Sequence, residues 1–261
     1  MTPQAALVTG AGKRLGRAMA LELGRLGAAV AVHYNTSAAA ADEVVAELQG
    51  MGVTAAAVGA DLLDWDATEA LVPRAAEALG KPLDVLVNSA SIFEYDTLQS
   101  FTRESWDRHI NSNLRAPLQL TQAFAAQVPD PPRDPNGEPR AQAAIINMID
   151  MRVRKPTPEF MTYSIAKHGL WAMTQTTAQA LGPRIRVNAI GPGPTMQGAR
   201  QSAEHYASQR AATILERGSE PDEICTALRF LLQVDGFTGQ LLCLDGGQHL
   251  AWQTPDVLGV E

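Results

Sequence analysis

Several kinds of residue are scarce in this 261-residue chain, and each scarcity closes off a class of protein. It has two cysteines, Cys225 and Cys243, each in apolar surroundings. They read as buried thiols rather than a disulfide framework, and no metal-ligand spacing accompanies them, so no metal site is expected. Basic residues are outnumbered, 21 against 28 acidic, for a formal net charge of -7. That balance argues against broad electrostatic binding of nucleic acid or an anionic membrane, while leaving room for a local basic pocket. No apolar run reaches the length of a membrane span. The opening MTPQAALVTG also lacks the basic and apolar regions of a secretory signal. A cytoplasmic enzyme or binding protein is the expectation.

What the chain does have is apolar residues, 46% of the total, enough for one domain with a substantial interior over residues 1–261. Short apolar runs at 5–9, 28–34, 54–62, 83–91, 143–150, 184–193 and 240–244 predict strands. Helical segments are expected at 17–26, 38–48, 163–181 and 220–232. Strands alternating with helices are the pattern of βαβ units. Continuous Val/Ile/Leu/Ala character suits strands buried on both faces. The fold class is therefore α/β, a Rossmann-like doubly wound parallel sheet with helices on both faces. The Pro/Gly-rich stretch 128–140 reads as a surface excursion. Residues 194–217 are less regular and are placed as a loop over a site at the strand ends.

The first strand runs into TGAGKRLG, Thr9 to Gly16. A glycine turn between a strand and a helix lets backbone amides and the helix field receive a phosphate. Gly10, Gly12, Lys13, Arg14 and Leu15 are thus candidate cofactor residues. The second strand ends HYNTS, where Asn35, Thr36 and Ser37 are neutral donors instead of an acid that would repel a 2′-phosphate. With Lys13 nearby, this favours NADP(H) over NAD(H). Asp61 and Leu62 after the third strand suit an adenine-contacting turn, with a helix cap as the competing account of Asp61. Asn88, Ser89 and Ala90 at the end of the fourth strand line the expected cofactor channel.

In YSIAK, Tyr163 and Lys167 lie four residues apart, on one helix face. An ammonium beside a phenol assists proton delivery while a nicotinamide provides hydride.

With TGAGKRLG, Asp61, NSAS, INSNLRAP, YSIAK, GPG and LDGG in order, nearly the whole chain resembles the short-chain dehydrogenase/reductase family. The resemblance implies catalytic roles for Tyr163 and Lys167, a supporting role for Asn113 in a proton relay, and a nicotinamide beside Pro192 and Gly193. Two departures stand out. Arg14 occupies the place of the family's middle glycine, and Asp150 stands thirteen residues before Tyr163, where the family carries a serine. A carboxylate disfavours a developing oxyanion but suits a cationic, nitrogen-rich ring or a proton shared with Tyr163.

Both departures are similar to the pteridine reductase and dihydromonapterin reductase branch. That resemblance implies an NADPH-dependent reductase acting on a dihydropterin or folate-like ring. It gives Arg14, Ser91, Phe93, Asp150 and Tyr163 as substrate residues, with Phe93 stacking on the ring opposite the nicotinamide and Lys167 lowering the tyrosine pKa. It also implies a homotetramer, while the acidic balance leaves no nucleic acid and no membrane among the expected partners. Thr36 stands where protozoan members carry a basic residue, and Ser89 where they carry a second asparagine. Two other readings stay open: a carbonyl reductase of the 3-oxoacyl or sugar-ketone type, and a non-catalytic NADP(H)-binding regulator. The tail, with Trp252, is expected at a subunit boundary or on the surface.

Overall fold

The computed structural model describes residues 1–198 and 201–254. Positions 199 and 200 of the expected substrate loop, and 255–261 of the tail, lie outside the described residues. Seven strands are described: β1 (Ala5–Val8), β2 (Ala29–Tyr34), β3 (Ala55–Gly59), β4 (Val85–Asn88), β5 (Ala143–Met148), β6 (Ile185–Pro192) and β7 (Leu241–Leu244). They pair in the order β3-β2-β1-β4-β5-β6-β7, every pair parallel. Around them run α1 (Arg14–Arg25), α2 (Ala38–Gly50), α3 (Trp65–Glu69), α4 (Leu71–Leu79), α5 (Arg103–Ile110), α6 (Ala116–Gln127), α7 (Met161–Leu181), α8 (Ala203–Ala211) and α9 (Pro221–Gln233).

The two-residue alternation of β1 shows how the core is divided. Ala6 and Val8 pack with Met19 and Leu23 of α1, Leu48 of α2 and Leu228 of α9 on one face. Ala5 and Leu7 meet Leu71 of α4, Leu120 and Phe124 of α6 and Ala178 of α7 on the other. Each large side chain so buried stabilises the fold by roughly 1.5–3 kcal/mol. Strand order reverses between β1 and β4, which opens a crevice beyond their carboxyl ends. The residues that were singled out for chemistry gather there.

The structure trims several expected elements. β3, β4 and β5 stop at Gly59, Asn88 and Met148, so Asp61, Ser91 and Asp150 stand past the last ladder pairs, free of sheet geometry. α1 begins at Arg14, three residues earlier than the pattern predicts. The 194–217 segment contains a helix, α8, whose N-cap Ser202 accepts a hydrogen bond from the His205 amide at 3.1 Å. No residue of α8 is buried, so no apolar stripe announced it. The excursion 128–140 is closed by an Arg133–Pro139 bridge and by Asp134, whose carboxylate accepts from the Asn136 and Glu138 amides. Both cysteines are free thiols, as expected. Cys225 is buried, but Cys243 is only half-buried, because β7 is the edge strand. Trp252 is exposed. Among the described residues no helix is long and apolar enough to cross a membrane, and no cluster of His, Cys, Asp or Glu could hold a metal ion.

Candidate active site

The glycine loop is built for close backbone approach. A Cβ on Gly16 would stand 2.3 Å from the Gly10 carbonyl oxygen, and one on Gly10, at φ +63°, 2.9 Å from Ala90 Cα. The loop is also tied to its neighbours. The Gly10 amide donates to His33 Nδ1 at 3.0 Å, and His33 Nε2 lies 3.0 Å from the Ala60 carbonyl. The amide must meet the ring's lone pair, so the proton sits on Nε2 and points at Ala60. Burial pushes the His33 pKa down from 6.5 to about 4, so the ring is neutral. Thr9 Oγ1 accepts from the Ser89 and Ala90 amides at 2.9 and 3.0 Å, locking the end of β1 to the end of β4.

Arg14 opens α1 with φ +55°, a left-handed conformation that costs a non-glycine residue roughly 1–2 kcal/mol. A glycine would take it without strain, which accounts for the usual residue there. The guanidinium reaches across the crevice to the carbonyls of Gln197 and Met196, at 2.7 and 3.1 Å. Lys13 is exposed beside it, while Leu15 is half-buried against the core. Past β2, Asn35 and Thr36 are exposed and Ser37 is half-buried, and no acidic side chain stands among them. Asp61 is not a helix cap: that role falls to Asp64, which accepts from the Ala67 amide at 2.7 Å. Asp61 instead accepts from the Leu63 amide at 2.9 Å and faces Asn35 Nδ2 at 3.4 Å. Leu62 is buried, its carbonyl bound by Arg115. Asn88 donates to Asn147 at 2.8 Å, but its buried Oδ1 has no partner among the described residues. Gly193 donates to Leu244 at 2.9 Å, which fixes Pro192–Gly193 against β7, where a Cβ on Gly193 would come within 2.6 Å of Asp245. An amide-lined glycine turn, exposed cations, neutral donors after β2 and an orphaned buried acceptor fit a phosphorylated dinucleotide.

The chemical groups converge beyond β5. Tyr163 donates its hydroxyl to Asp150 Oδ2 at 2.9 Å, and Asp150 Oδ1 accepts from the Arg152 amide at 2.9 Å. Desolvation raises the Asp150 pKa, against the Arg152 amide and charge, the Tyr163 hydrogen bond and the Lys167 charge. Desolvation, followed by the Asp150 charge and hydrogen bond, raises Tyr163 well above its ordinary value, with Arg152 and a Ser91 hydrogen bond pulling the other way. The net displacement of Tyr163 is upward, with burial its largest cause. The Asp150 carboxylate lies 2.9 Å from the phenol oxygen, and the Lys167 nitrogen 5.7 Å from the ring centroid. Lys167 Nζ donates to the Met148 carbonyl at 2.7 Å, and burial lowers its pKa to about 8.

Asn113 sits buried in a π-helical turn, Asn111–Arg115, between α5 and α6. Its amide exchanges two hydrogen bonds with the Ile92 backbone, at 2.9 and 2.8 Å, so its side chain holds the segment that carries Ser91 and Phe93. Phe93, 43% exposed, lies edge-on to Tyr163 at 4.6 Å between centroids. One of its faces is stacked on Phe160 at 4.3 Å and 10°.

This geometry accompanies a clear relationship to known proteins. The short chain dehydrogenase family matches residues 4–207. The chain belongs to that family. Among solved structures, this short-chain dehydrogenase is similar to FolM alternative dihydrofolate reductase 1 from Brucella suis in complex with NADP, with 37% identity, a TM-score of 0.90, and 97% of this chain and 98% of that one covered. Among curated proteins it is 34% identical to an uncharacterized oxidoreductase of Methylorubrum extorquens, over 93% of this chain and 96% of the relative. It is also 32% identical to the 3-oxoacyl-[acyl-carrier-protein] reductase of Synechocystis, over 95% and 97%.

Reasoning from sequence missed four contributors. His33 reads as one more residue of an apolar strand, and only the fold brings it to Gly10. Phe160 and Arg152 follow Asp150 in an otherwise irregular stretch, and only Arg152 bonds to it. Arg152 Cζ lies 4.9 Å from the Phe160 ring centroid. Asp96 is buried and accepts from the Thr162 amide at 3.1 Å, across 66 residues of chain.

Proposed function

We propose that this chain is an NADPH-dependent reductase of a dihydropterin or related folate-like ring. The observation that carries the reading is the Tyr163–Asp150 hydrogen bond at 2.9 Å beside the exposed ring of Phe93. Bound NADPH supplies hydride to an electron-poor carbon of a C=N bond. The reducible nitrogen then needs a proton. Asp150 and Tyr163, both displaced toward their protonated forms, hold one where the phenol meets the carboxylate. Ser91 orients the phenol, while Arg14 and Ser91 receive the polar edge of the ring. Phe160 stacks on Phe93 and supports the ring on which the substrate would stack. Lys167, held by the Met148 carbonyl, orients the cofactor ribose, and Asn113 fixes the rim that carries Phe93. The 37% identity to a FolM structure with bound NADP supports this substrate class and cofactor. A homotetramer belongs to the same reading.

A ketone-reducing alternative rests on the similarity to 3-oxoacyl-[acyl-carrier-protein] reductases. Asp150 weighs against it, since a desolvated carboxylate repels the oxyanion that a serine would stabilise. The deciding experiment follows NADPH consumption with dihydrobiopterin, dihydromonapterin, dihydrofolate and a panel of simple ketones. Turnover of a pterin supports the proposal. Reduction of ketones alone would overturn it.

A further inference from the structure

The segment after β4 is anchored at alternate residues. Ile92 is clamped by Asn113. The Glu94 amide donates to His109 Nε2 at 3.1 Å, and the Glu94 carboxylate meets Arg108 at 2.8 and 3.2 Å. Asp96 accepts from Ser105 Oγ at 3.0 Å and from both the amide and the hydroxyl of Thr162. The residues between the anchors, Phe93 and Tyr95, put their rings against Phe160 and, for Phe93, Tyr163.

One of these anchors reaches the helix that carries the catalytic tyrosine. α7 starts at Met161 with Phe160 as its N-cap, left-handed at φ +54° and making no side-chain cap. Its orphan amides are met from elsewhere in the chain: Met161 donates to the Asp96 carbonyl at 3.2 Å and Thr162 to the Asp96 carboxylate at 3.1 Å. A carboxylate is suited to that place by the helix field and by the unpaired amides. The Glu94 amide sets the tautomer of His109. His109 Nε2 receives the Glu94 amide, so the proton is on Nδ1, which donates to Thr162 Oγ1 at 2.7 Å, and that hydroxyl donates to Asp96. His109 is fully buried, and its bond to Thr162 and those of Thr162 to Asp96 are buried with it.

We propose that His109, Thr162 and Asp96 are positioning residues that hold Phe93 in place against Tyr163, and thereby set the affinity of the site for a flat ring. None of the three is assigned a step in the reaction. They join the rim that bears Phe93 to the first turn of α7 that bears Tyr163, so that the placement of the two rings is fixed before substrate arrives. Preorganisation of this kind appears in binding, since a loosened wall must be re-ordered by the ligand. The inference rests on the reductase reading only for the identity of the ring.

The test uses the full-length, NADPH-loaded protein. Thr162→Val removes the hydroxyl and keeps the amide, Thr162→Ser keeps both, and His109→Phe keeps a ring and removes both hydrogen bonds. Losing two buried hydrogen bonds in either variant corresponds to a rise of about ten-fold or more in KM for the preferred pterin, with kcat and the NADPH Kd moving less than about threefold. Thr162→Ser is expected to restore KM. Amide exchange across residues 91–97, measured without substrate, is expected to accelerate in Thr162→Val and His109→Phe alone. Unchanged KM and exchange in a folded Thr162→Val or His109→Phe protein would overturn the proposal, as would kcat and NADPH affinity falling as far as pterin affinity. If the wild type reduces a ketone and no pterin, the pterin reading fails. The exchange comparison, and KM for that ketone, then still decide the positioning role.

Discussion

Tyr163 donates a hydrogen bond to Asp150 Oδ2 at 2.9 Å, and the carboxylate makes the phenol harder to ionise while burial raises both groups. Asp150→Asn keeps the shape but removes the carboxyl that shares the proton, and Tyr163→Phe removes the donor. Each is expected to lower kcat by roughly 10²–10⁴-fold while leaving NADPH binding near wild type, measured by single-turnover kinetics and fluorescence titration. Equal losses in NADPH affinity would show a collapsed site instead.

The same pair makes a stability prediction with a definite sign. Desolvation raises Asp150 from its ordinary 3.8, so the native chain binds this proton more tightly than the unfolded one. The stability attached to this group is complete below pH about 3.8 and is lost as pH rises through the folded value. At pH 7 Asp150→Asn is therefore expected to melt above the wild type, and the gap should narrow as the buffer is made more acid. A gap that widens in acid contradicts the assignment of Asp150 as a destabilised carboxylate.

How much of this was legible in the sequence depended on the range of the interaction. Seven apolar runs became seven strands, because burial on both faces leaves a continuous local signature. The glycine turn and the Tyr163–Lys167 pair were legible for the same reason: their geometry is set within a few residues. His33, Asp96, His109 and Thr162 were not, since each looks like an isolated polar residue until the fold brings partners from 15 to 66 positions away. Asp61 shows the intermediate case, where a turn was expected correctly but the cap belongs to Asp64. Arg14 was flagged because it stands where the resembled family carries its middle glycine. Its left-handed backbone, which explains why glycine is usual there, is a property of the folded turn.

Arg14 makes this a testable conflict between stability and binding. Arg14→Gly relieves the φ +55° conformation, whereas Arg14→Ala keeps it, and both lose the bonds to Met196 and Gln197. The glycine variant is expected to be more stable than the alanine variant by about 1 kcal/mol in chemical denaturation. Both should bind NADPH about ten-fold more weakly, as expected for loss of one charge-assisted contact. Identical stabilities would mean that position 14 carries no backbone strain.

His33 should act as an acid-sensitive brace of the cofactor loop. Its pKa falls from 6.5 to about 4 on burial, so between those values the unfolded chain binds more protons than the native one. Stability is then lost as pH drops through this window, by roughly 3 kcal/mol once it is crossed. Urea unfolding at pH 7 and pH 4.5 tests this against His33→Gln, which cannot titrate. The wild type is expected to lose its advantage over the variant in acid. Parallel losses in the two proteins would assign the acid sensitivity to other groups.

Cofactor choice should be reversible at a single exposed position. Thr36 lies just beyond β2, in a turn with no acidic side chain and with Lys13 on the facing glycine loop. Thr36→Asp supplies an acceptor for ribose hydroxyls and repels a 2′-phosphate, while Thr36→Arg pairs with that phosphate. The ratio of kcat/KM for NADPH to that for NADH is expected to fall by about ten-fold or more in the first variant and to rise in the second, in line with one charged contact. The measurement needs only the wild-type substrate at saturation with each cofactor varied. If neither substitution moves the ratio, the 2′-phosphate is read elsewhere in the crevice, with Lys13 and Arg14 the next positions to change.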